Sequence, residues 1–173
     1  MIVIVMGVAG SGKSTTGERL ARRLEWTFLD GDTYHSPDSI AKMRAGEALT
    51  DEDRRPWLDA LARLVRDARE EQRPVVLASS ALKRAYRDTL TSRRRDDVLL
   101  VHLTGDEALI RVRMQSRDHF MPPASLGSQF ATLEPPDEDE RPCTFDVHMP
   151  PEEIVDAIVA ELSGRQPREA SHR

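Results

Sequence analysis

Short apolar runs alternate with amphipathic segments along most of the chain. The runs have the length and composition typical of buried strands: Ile2 to Val5, Trp26 to Leu29, Val75 to Ala78, Val98 to Leu103 and Phe145 to Val147. The segments between them place apolar residues at the three- and four-residue spacing of a helix that buries one face. Because such an alternation joins strands by helical crossovers, it predicts an α/β, three-layer fold: a five-stranded parallel sheet with helices on both faces.

Several predicted helices have recognisable start signals. Ser14 opens a helix after the first strand, and Ser36 can cap a short helix further on. Thr50 and Asp53 have the spacing of a capping box for a longer helix. After the third strand, a helix is expected to begin near Ala81.

The chain is expected to form one domain over residues 1–164, followed by a polar tail over residues 165–173. The regular pattern weakens between about residues 117 and 136, where prolines and glycines surround one short amphipathic piece. A connection of this length in a compact domain usually has a function, so we expect a mobile lid here.

Composition narrows the classes of partner. The 25 Lys and Arg residues are outnumbered by 30 Asp and Glu residues, giving a formal net charge of -5. A bulk positive field for nucleic acid or for an anionic membrane is therefore absent. Cys143 is the single cysteine, so no internal disulfide can form, and this agrees with a reducing compartment. The first apolar run is too short for a signal peptide or a membrane span, and we expect a soluble cytoplasmic protein.

The strongest chemical signal follows the first strand. Gly7-x-x-x-x-Gly12-Lys13-Ser14 matches the P-loop of nucleoside triphosphate enzymes, in its required place between a strand and a helix. Backbone N–H groups and a helix N-terminus would cradle phosphates, Lys13 would reach the β- and γ-phosphates of ATP, and the Ser14 hydroxyl would bind Mg²⁺. The predicted nucleotide-binding residues of the loop are Gly7, Gly10, Ser11, Gly12, Lys13, Ser14 and Thr15.

The loop alone permits a kinase, a motor ATPase or a GTPase switch. The chain has no Asn-Lys-x-Asp motif for guanine, and no acidic residue closes the third strand. Asp30, at the end of the second strand, is therefore the best carboxylate to orient Mg²⁺, and Asp32 could hold an acceptor hydroxyl. Lys83 and Arg87 are four residues apart on one predicted helix face, which, together with Arg54, suits an anionic small molecule.

Five segments together resemble the gluconate kinases, small P-loop enzymes related to shikimate and adenylate kinases. The matching segments are MGVAGSGKST, FLDGDTYH, KMRAGEALTDEDRRPWL, SSALKRAYRD and HFMPPASLGSQFATLEPP. The resemblance implies transfer of the ATP γ-phosphate to the C6 hydroxyl of D-gluconate, with lid cations such as Arg117 acting on the transferred group. It places Asp32 at the acceptor and the following residues around the sugar acid: His35, Arg54, Lys83 and Arg87. It also makes Arg117, His119 and Gln129 part of the lid, with His119 and Gln129 on the substrate side. Arg113 resembles the arginine that packs on adenine in this group.

The chain departs from the pattern of gluconate kinases at one point, and two alternative functions remain open. Arg117-Asp118-His119 is one residue shorter than the pattern Arg-x-Gly-His of these kinases, and this bears on how His119 is presented. A kinase of the same fold could instead phosphorylate another small anion, such as shikimate or a nucleoside monophosphate. A non-catalytic nucleotide-binding switch is the alternative from a different class. Kinases of this type are often homodimers, a state that the sequence itself does not indicate.

Overall fold

A computed structural model describes residues 1–115 and 122–165. Its centre is a five-stranded sheet in which every pair of neighbouring strands is parallel, in the order β2-β3-β1-β4-β5. The strands are β1 (Ile2–Met6), β2 (Thr27–Asp30), β3 (Val75–Ala78), β4 (Val98–Thr104) and β5 (Cys143–Asp146). The α/β fold with a five-stranded parallel sheet is confirmed.

Seven α-helices occupy the described residues. They are α1 (Lys13–Leu24), α2 (Pro37–Arg44), α3 (Asp51–Glu70), α4 (Arg84–Thr91), α5 (Glu107–Gln115), α6 (Leu126–Thr132) and α7 (Pro151–Arg165). None of the helices among the described residues is long and apolar enough to cross a membrane.

Alternate residues of the central strand β1 feed two separate cores. Val3 and Val5 pack with apolar residues of α1, α5 and α7 on one face of the sheet. Ile4, between them, faces the other way and packs with residues of α3 and α4. Because β1 is covered on both faces, it is apolar at every position, which is why the sequence shows it as a continuous run.

The starts of α4 and β5 differ from the sequence prediction by two residues or more. Helix α4 begins at Arg84 and not near Ala81, because Ala81 has a φ of 42°, which no right-handed helix accommodates. Strand β5 begins at Cys143, two residues earlier than predicted, since its pairing with β4 starts where Cys143 lies opposite Val101.

The register of the sheet places the chemically important strand ends at one level. Ala78 pairs with Val5 on one side and with Asp30 on the other. The loop that begins at Gly7, the turn after Asp30 and the segment after β3 therefore leave the sheet along the same carboxyl edge. In open parallel sheets this edge is where ligands bind.

Candidate active site

The loop after β1 has a backbone that only glycine accommodates at two points. A Cβ on Gly7 would lie 2.6 Å from the carbonyl oxygen of Leu103, so a side chain there would collide with β4. Gly12 has a φ of 93°, a left-handed conformation, directly before the first residue of α1. The glycines thus allow the chain to turn tightly and to present the N-terminus of α1 to the concave side of the loop.

Lys13 lies inside this concavity. It is the first residue of α1, and its Nζ donates to the carbonyl oxygen of Val8 at 3.0 Å. Burial lowers the pKa of Lys13, while the nearby carboxylates of Asp32 and Asp30 act in the opposite direction. A buried ammonium group with its charge only partly compensated favours binding of an anion such as a phosphate group.

A cavity on one side of Lys13 has the composition of a nucleotide phosphate site. It is lined by Gly10, Gly12, Lys13, Ser14, Thr15, Asp32, Arg113 and Met114. It continues past Arg113 into a recess whose wall includes Val147, Met149 and Ile154. Arg113 donates to the carbonyl oxygen of Val147 at 2.7 Å, which holds its guanidinium between the phosphate region and this apolar recess.

A second cavity opens on the other side of Lys13. Its lining is mixed, with aromatic, charged and hydroxyl side chains from α1, α2, α3, α4, α6 and the segments that connect the elements: Ala9, Lys13, Asp32, His35, Met43, Glu47, Ala48, Leu49, Arg54, Trp57, Ser80, Leu82, Tyr86, Ser125, Ser128, Gln129 and Thr132. Lys13 and Asp32 line both cavities. A group bound in one cavity can therefore meet a group bound in the other at this pair.

The two aspartates after β2 have different surroundings. Asp30 Oδ1 accepts the backbone N–H of Asp32 at 3.0 Å, which caps a short 3-10 turn over Gly31–Tyr34. This turn carries Asp32 out of the strand and towards the shared wall of the cavities. The predicted Mg²⁺ ligands, Ser14 and Asp30, offer the hard oxygen atoms that Mg²⁺ prefers.

Within the described residues, no group of three or more His, Cys, Asp or Glu side chains could hold a metal ion. Mg²⁺ needs no such group, since it is bound by one or two protein oxygens together with substrate phosphates and water, and Ser14 and Asp30 offer oxygens of this kind. The donor set at this edge of the sheet is therefore compatible with Mg²⁺ bound jointly to protein and nucleotide.

His35 and Trp57 form a stacked pair on the wall of the second cavity. Their ring centroids are 4.5 Å apart with an interplanar angle of 10°. Trp57 donates from Nε1 to the carbonyl oxygen of Gly31 at 2.7 Å, so the stack is fixed to the turn that carries Asp32. Burial lowers the pKa of His35, and its Nδ1 is buried without a hydrogen-bond partner in the described part of the chain. A neutral imidazole of this kind can exchange hydrogen bonds with a substrate hydroxyl.

Arg54 is the second cation on the wall of this cavity. Its Nη1 donates to the carbonyl oxygen of Leu49 at 2.5 Å and lies 3.4 Å from the Tyr86 hydroxyl. Its guanidinium carbon is 5.7 Å from the centre of the Tyr86 ring. These contacts fix Arg54 beside the cavity.

Lys83 lies behind Tyr86 and not on the cavity wall. It precedes α4, and its Nζ donates to both carboxylate oxygens of Asp51 at 2.9 and 3.0 Å. The same Nζ is 5.4 Å from the Tyr86 ring centre. Lys83 thus belongs to the outer edge of the site, one side chain away from the cavity.

The structure corrects the prediction for Arg87. Its side chain is only 1% exposed, and its guanidinium donates through Nε and Nη2 to the two carboxylate oxygens of Glu140, both at 2.8 Å. The remaining donor, Nη1, binds the carbonyl oxygens of Ala81, Leu82 and Glu134. With its donors taken up in this way, Arg87 joins the start of α4 to the segment after α6 and does not face the substrate. The predicted face that Lys83 shares with Arg87 does not exist, because α4 begins only after Lys83.

Of the predicted lid residues, Gln129 is placed by the structure. It lies on α6, and its Oε1 accepts the backbone N–H of Ala9, in the P-loop, at 2.7 Å. This hydrogen bond brings α6 against the phosphate loop. Arg117 and His119, with the shortened segment between them, lie outside the described residues.

Three residues of the site carry no functional assignment in the sequence analysis. Trp57 has the helical spacing of a core residue, and it is indeed 3% exposed, yet it also lines the cavity. Tyr86 lies in a segment that resembles gluconate kinases, which is the signal that could have found it. Asp51 also lies in one of these segments, KMRAGEALTDEDRRPWL, but it has the position of an ordinary acidic residue in the first turn of a helix, and its contacts with Tyr86 and Lys83 are what set it apart from its neighbours.

Comparison with known proteins places this geometry in a family. A family model described as an AAA domain matches residues 2–136. A probable gluconokinase of Xenopus tropicalis is 41% identical over 183 aligned positions, which cover 97% of this chain and 94% of that protein. The crystal structure of a gluconokinase from Sinorhizobium meliloti is 43% identical with a TM-score of 0.82, covering 94% of this chain and 91% of its own. An unliganded sugar kinase from a Janibacter species is 40% identical with a TM-score of 0.88, covering 99% and 98%.

Proposed function

This chain belongs to the gluconokinase family, and we propose that it transfers the γ-phosphoryl group of ATP to the C6 hydroxyl of D-gluconate. The products are 6-phospho-D-gluconate and ADP. The observation that carries this proposal is the meeting of two cavities at Lys13 and Asp32. A phosphoryl donor on one side and a hydroxyl acceptor on the other would face each other across this pair, as transfer in line requires.

ATP occupies the cavity of the phosphate loop. Backbone N–H groups between Gly7 and Thr15 surround the phosphates, and the N-terminus of α1 adds partial positive charge. Lys13 binds the β- and γ-phosphates. Arg113, held by the Val147 carbonyl, packs on the adenine, whose apolar faces suit the recess beyond it.

D-Gluconate occupies the second cavity. Asp32 accepts a hydrogen bond from the C6 hydroxyl and directs an oxygen lone pair towards the γ-phosphorus. His35, neutral near pH 7, binds a hydroxyl further along the sugar acid. Arg54 binds the C1 carboxylate, since among the residues that the structure describes it is the one lysine or arginine in the cavity lining apart from Lys13, which ATP engages.

Charge on the transferred group is stabilised by fixed donors. Lys13 follows the phosphoryl oxygens, and the N–H groups of the loop need no reorganisation during the reaction. In a loose transition state the acceptor hydroxyl loses its proton late. Asp32 therefore raises the rate of phosphoryl transfer by aligning this hydroxyl, even where proton transfer to Asp32 contributes little to the rate. Ser14 and Asp30 would hold Mg²⁺, which neutralises charge on the β- and γ-phosphates when it is bound.

The segment around α6 closes the reaction chamber. Gln129 connects α6 to Ala9 in the P-loop and lines the acceptor cavity, so it lies where it can respond to both substrates. Exclusion of water by this segment prevents hydrolysis of ATP in place of transfer. Arg117 and His119 keep their predicted roles, at the transferred phosphoryl group and at the substrate.

The setting of the enzyme is part of the same proposal. A cytoplasmic location supplies ATP and keeps Cys143 reduced. A homodimer and a single domain over residues 1–164 also stay predictions. Light scattering on the purified protein measures the oligomeric state, and limited proteolysis with mass spectrometry tests whether residues 1–164 form one domain.

An acceptor panel tests the proposed reaction. ADP release is measured with a coupled assay in the presence of D-gluconate, shikimate, nucleoside monophosphates or no acceptor. Among these acceptors, we expect only D-gluconate to stimulate ADP release. Turnover with shikimate or a nucleoside monophosphate and none with D-gluconate would show a different small-anion kinase. Tight ATP binding without any acceptor-stimulated turnover would show a nucleotide-binding switch.

A further inference from the structure

Asp51 makes an unusual set of contacts at the edge of the acceptor cavity. It is the first residue of α3 and its side chain is 63% exposed. Even so, it accepts hydrogen bonds from Lys83 through both carboxylate oxygens and from the Tyr86 hydroxyl through Oδ1. Arg54 Nη1 is 3.8 Å from the same oxygen. One carboxylate therefore meets three groups that could each bind another carboxylate.

These three groups form one cluster around the Tyr86 ring. The guanidinium carbon of Arg54 is 5.7 Å from the centre of this ring, and Nζ of Lys83 is 5.4 Å from it. Arg54 and Tyr86 also line the cavity, whereas Lys83 and Asp51 stand behind them. An acid bound to Arg54 and Tyr86 would thus lie beside Asp51 and share donors with it.

We propose that Asp51 is the internal counter-ion of an acceptor-carboxylate subsite that Arg54 and Tyr86 form on the cavity wall with Lys83 behind them, and that it limits the affinity of this subsite for a substrate carboxylate. The inference rests on the proposed function, because it takes D-gluconate as the acceptor. Two carboxylates that share donors repel each other, and the donors bound to Asp51 must be given up in part when the substrate binds. The counter-ion also holds Lys83 and Tyr86 in place, so the subsite is ordered before substrate arrives.

Removal of the Asp51 charge should change the affinity for charged acceptors and not the affinity for neutral ones. Removing the Asp51 charge strengthens the binding of an acceptor that carries a carboxylate. It leaves unchanged the binding of a neutral polyol of the same length, such as D-glucitol, because a polyol has no charge for the freed cations to attract. A general change in the shape of the cavity would affect both ligands.

The experiment compares the full-length wild-type protein with Asp51→Asn and with the matched control Glu52→Gln. Glu52 is an exposed carboxylate in the same first turn of α3, so its replacement removes the same helix-end charge, and it makes none of the contacts described for Asp51. The KM for D-gluconate and kcat are measured at saturating ATP, together with the inhibition constant of D-glucitol. Asp51→Ala serves as a second variant, and circular dichroism confirms that each protein is folded.

We expect the KM for D-gluconate to fall by about two- to fivefold in Asp51→Asn, the range that exposed ion pairs span. It should fall in Asp51→Ala as well, with kcat and the D-glucitol inhibition constant unchanged and Glu52→Gln like wild type. A KM that stays constant or rises in both Asp51 variants overturns the inference, as does an equal change for D-glucitol. Absence of gluconate turnover in the wild-type protein overturns the proposed function instead.

Discussion

The buried pair of Arg87 and Glu140 allows a sharp test of whether Arg87 supports the fold or binds the substrate. The two side chains are 1% and 0% exposed, and both carboxylate oxygens of Glu140 are bound at 2.8 Å. The guanidinium overcomes the effect of burial and holds the pKa of Glu140 below its ordinary value. Glu140 is thus ionised at neutral pH, and removing either partner leaves the charge of the other in the interior without its two-point partner. Arg95 Nη2, 3.4 Å from Glu140 Oε1, replaces Arg87 only in part.

The expected loss can be worked from these contacts. Breaking a buried ion pair by removal of one partner costs about 3–5 kcal/mol. Glu140→Gln keeps an acceptor oxygen, so we place it near the lower end. Arg87→Met removes the charge and also the donors to the carbonyl oxygens of Ala81, Leu82 and Glu134, so it belongs at the upper end or beyond. For a chain of this size, a loss of 3–5 kcal/mol lowers Tm by roughly 6–20 °C.

The assay combines urea unfolding with steady-state kinetics. Both variants are unfolded in urea and followed by circular dichroism, and the KM for D-gluconate is then measured well below the unfolding transition. Glu140→Gln, with Arg87 intact, should keep the KM within about threefold of wild type despite its lower stability. If Arg87→Met retained wild-type stability to within about 1 kcal/mol while its KM rose sharply, the assignment of Arg87 to the fold would be wrong.

Three further predictions concern the site, and a fourth concerns His102, which is buried in β4. Lys13→Ala should lower kcat by about 10²–10³-fold, measured as gluconate-dependent ADP release, and undiminished turnover would contradict the proposed role of the P-loop. Asp32→Asn should lower kcat by about 10²-fold or more, and unchanged turnover with an unchanged KM for D-gluconate would remove this residue from the site. Gln129→Ala should lower kcat/KM by up to about tenfold, the value of one hydrogen bond to the Ala9 N–H, and a change above this range would indicate a larger role. Burial lowers the pKa of His102, so below a pH of about 6.5 the unfolded chain binds a proton at this residue that the folded chain does not. The free energy of unfolding should therefore fall as the pH is lowered below this value, and urea titrations of His102→Gln should show a weaker pH dependence.

Much of the fold could be predicted because the signals are local. A strand buried on both faces is apolar at each position, as β1 is, and the P-loop follows it within a few residues. The capping box at Thr50 and Asp53 is present as predicted, with each side chain bound to the backbone of the other residue. Such features depend on residues close together in the chain, and so the sequence contains them in readable form.

The prediction for Arg87 was wrong because it depended on where one helix begins. A shift of one residue rotates a helical position by about 100°, and α4 begins three residues after the predicted point. Arg87 then joins Tyr86 and Leu90 on the buried face of α4. The sequence could not show this, since the partner that stabilises the buried arginine is Glu140, more than fifty positions further on.

The role of Asp51 and the double role of Trp57 were missed for a related reason. An acidic residue in the first turn of a helix and an apolar residue at core spacing each have a sufficient local explanation. Their positions in the site follow from how α3, α4 and the turn after β2 come together. Such contacts are properties of the packed fold.

If ATP and D-gluconate occupy the two cavities that meet at Lys13 and Asp32, the γ-phosphoryl group passes to the C6 hydroxyl and ADP is released. Phosphorus and carbon NMR of the reaction mixture, with ATP and ¹³C-labelled D-gluconate, tests this transfer most directly. We expect one phosphomonoester, coupled to C6 of gluconate, that appears in equal amount with ADP. A phosphate on another carbon, or ADP formed with inorganic phosphate and no sugar ester, would contradict it.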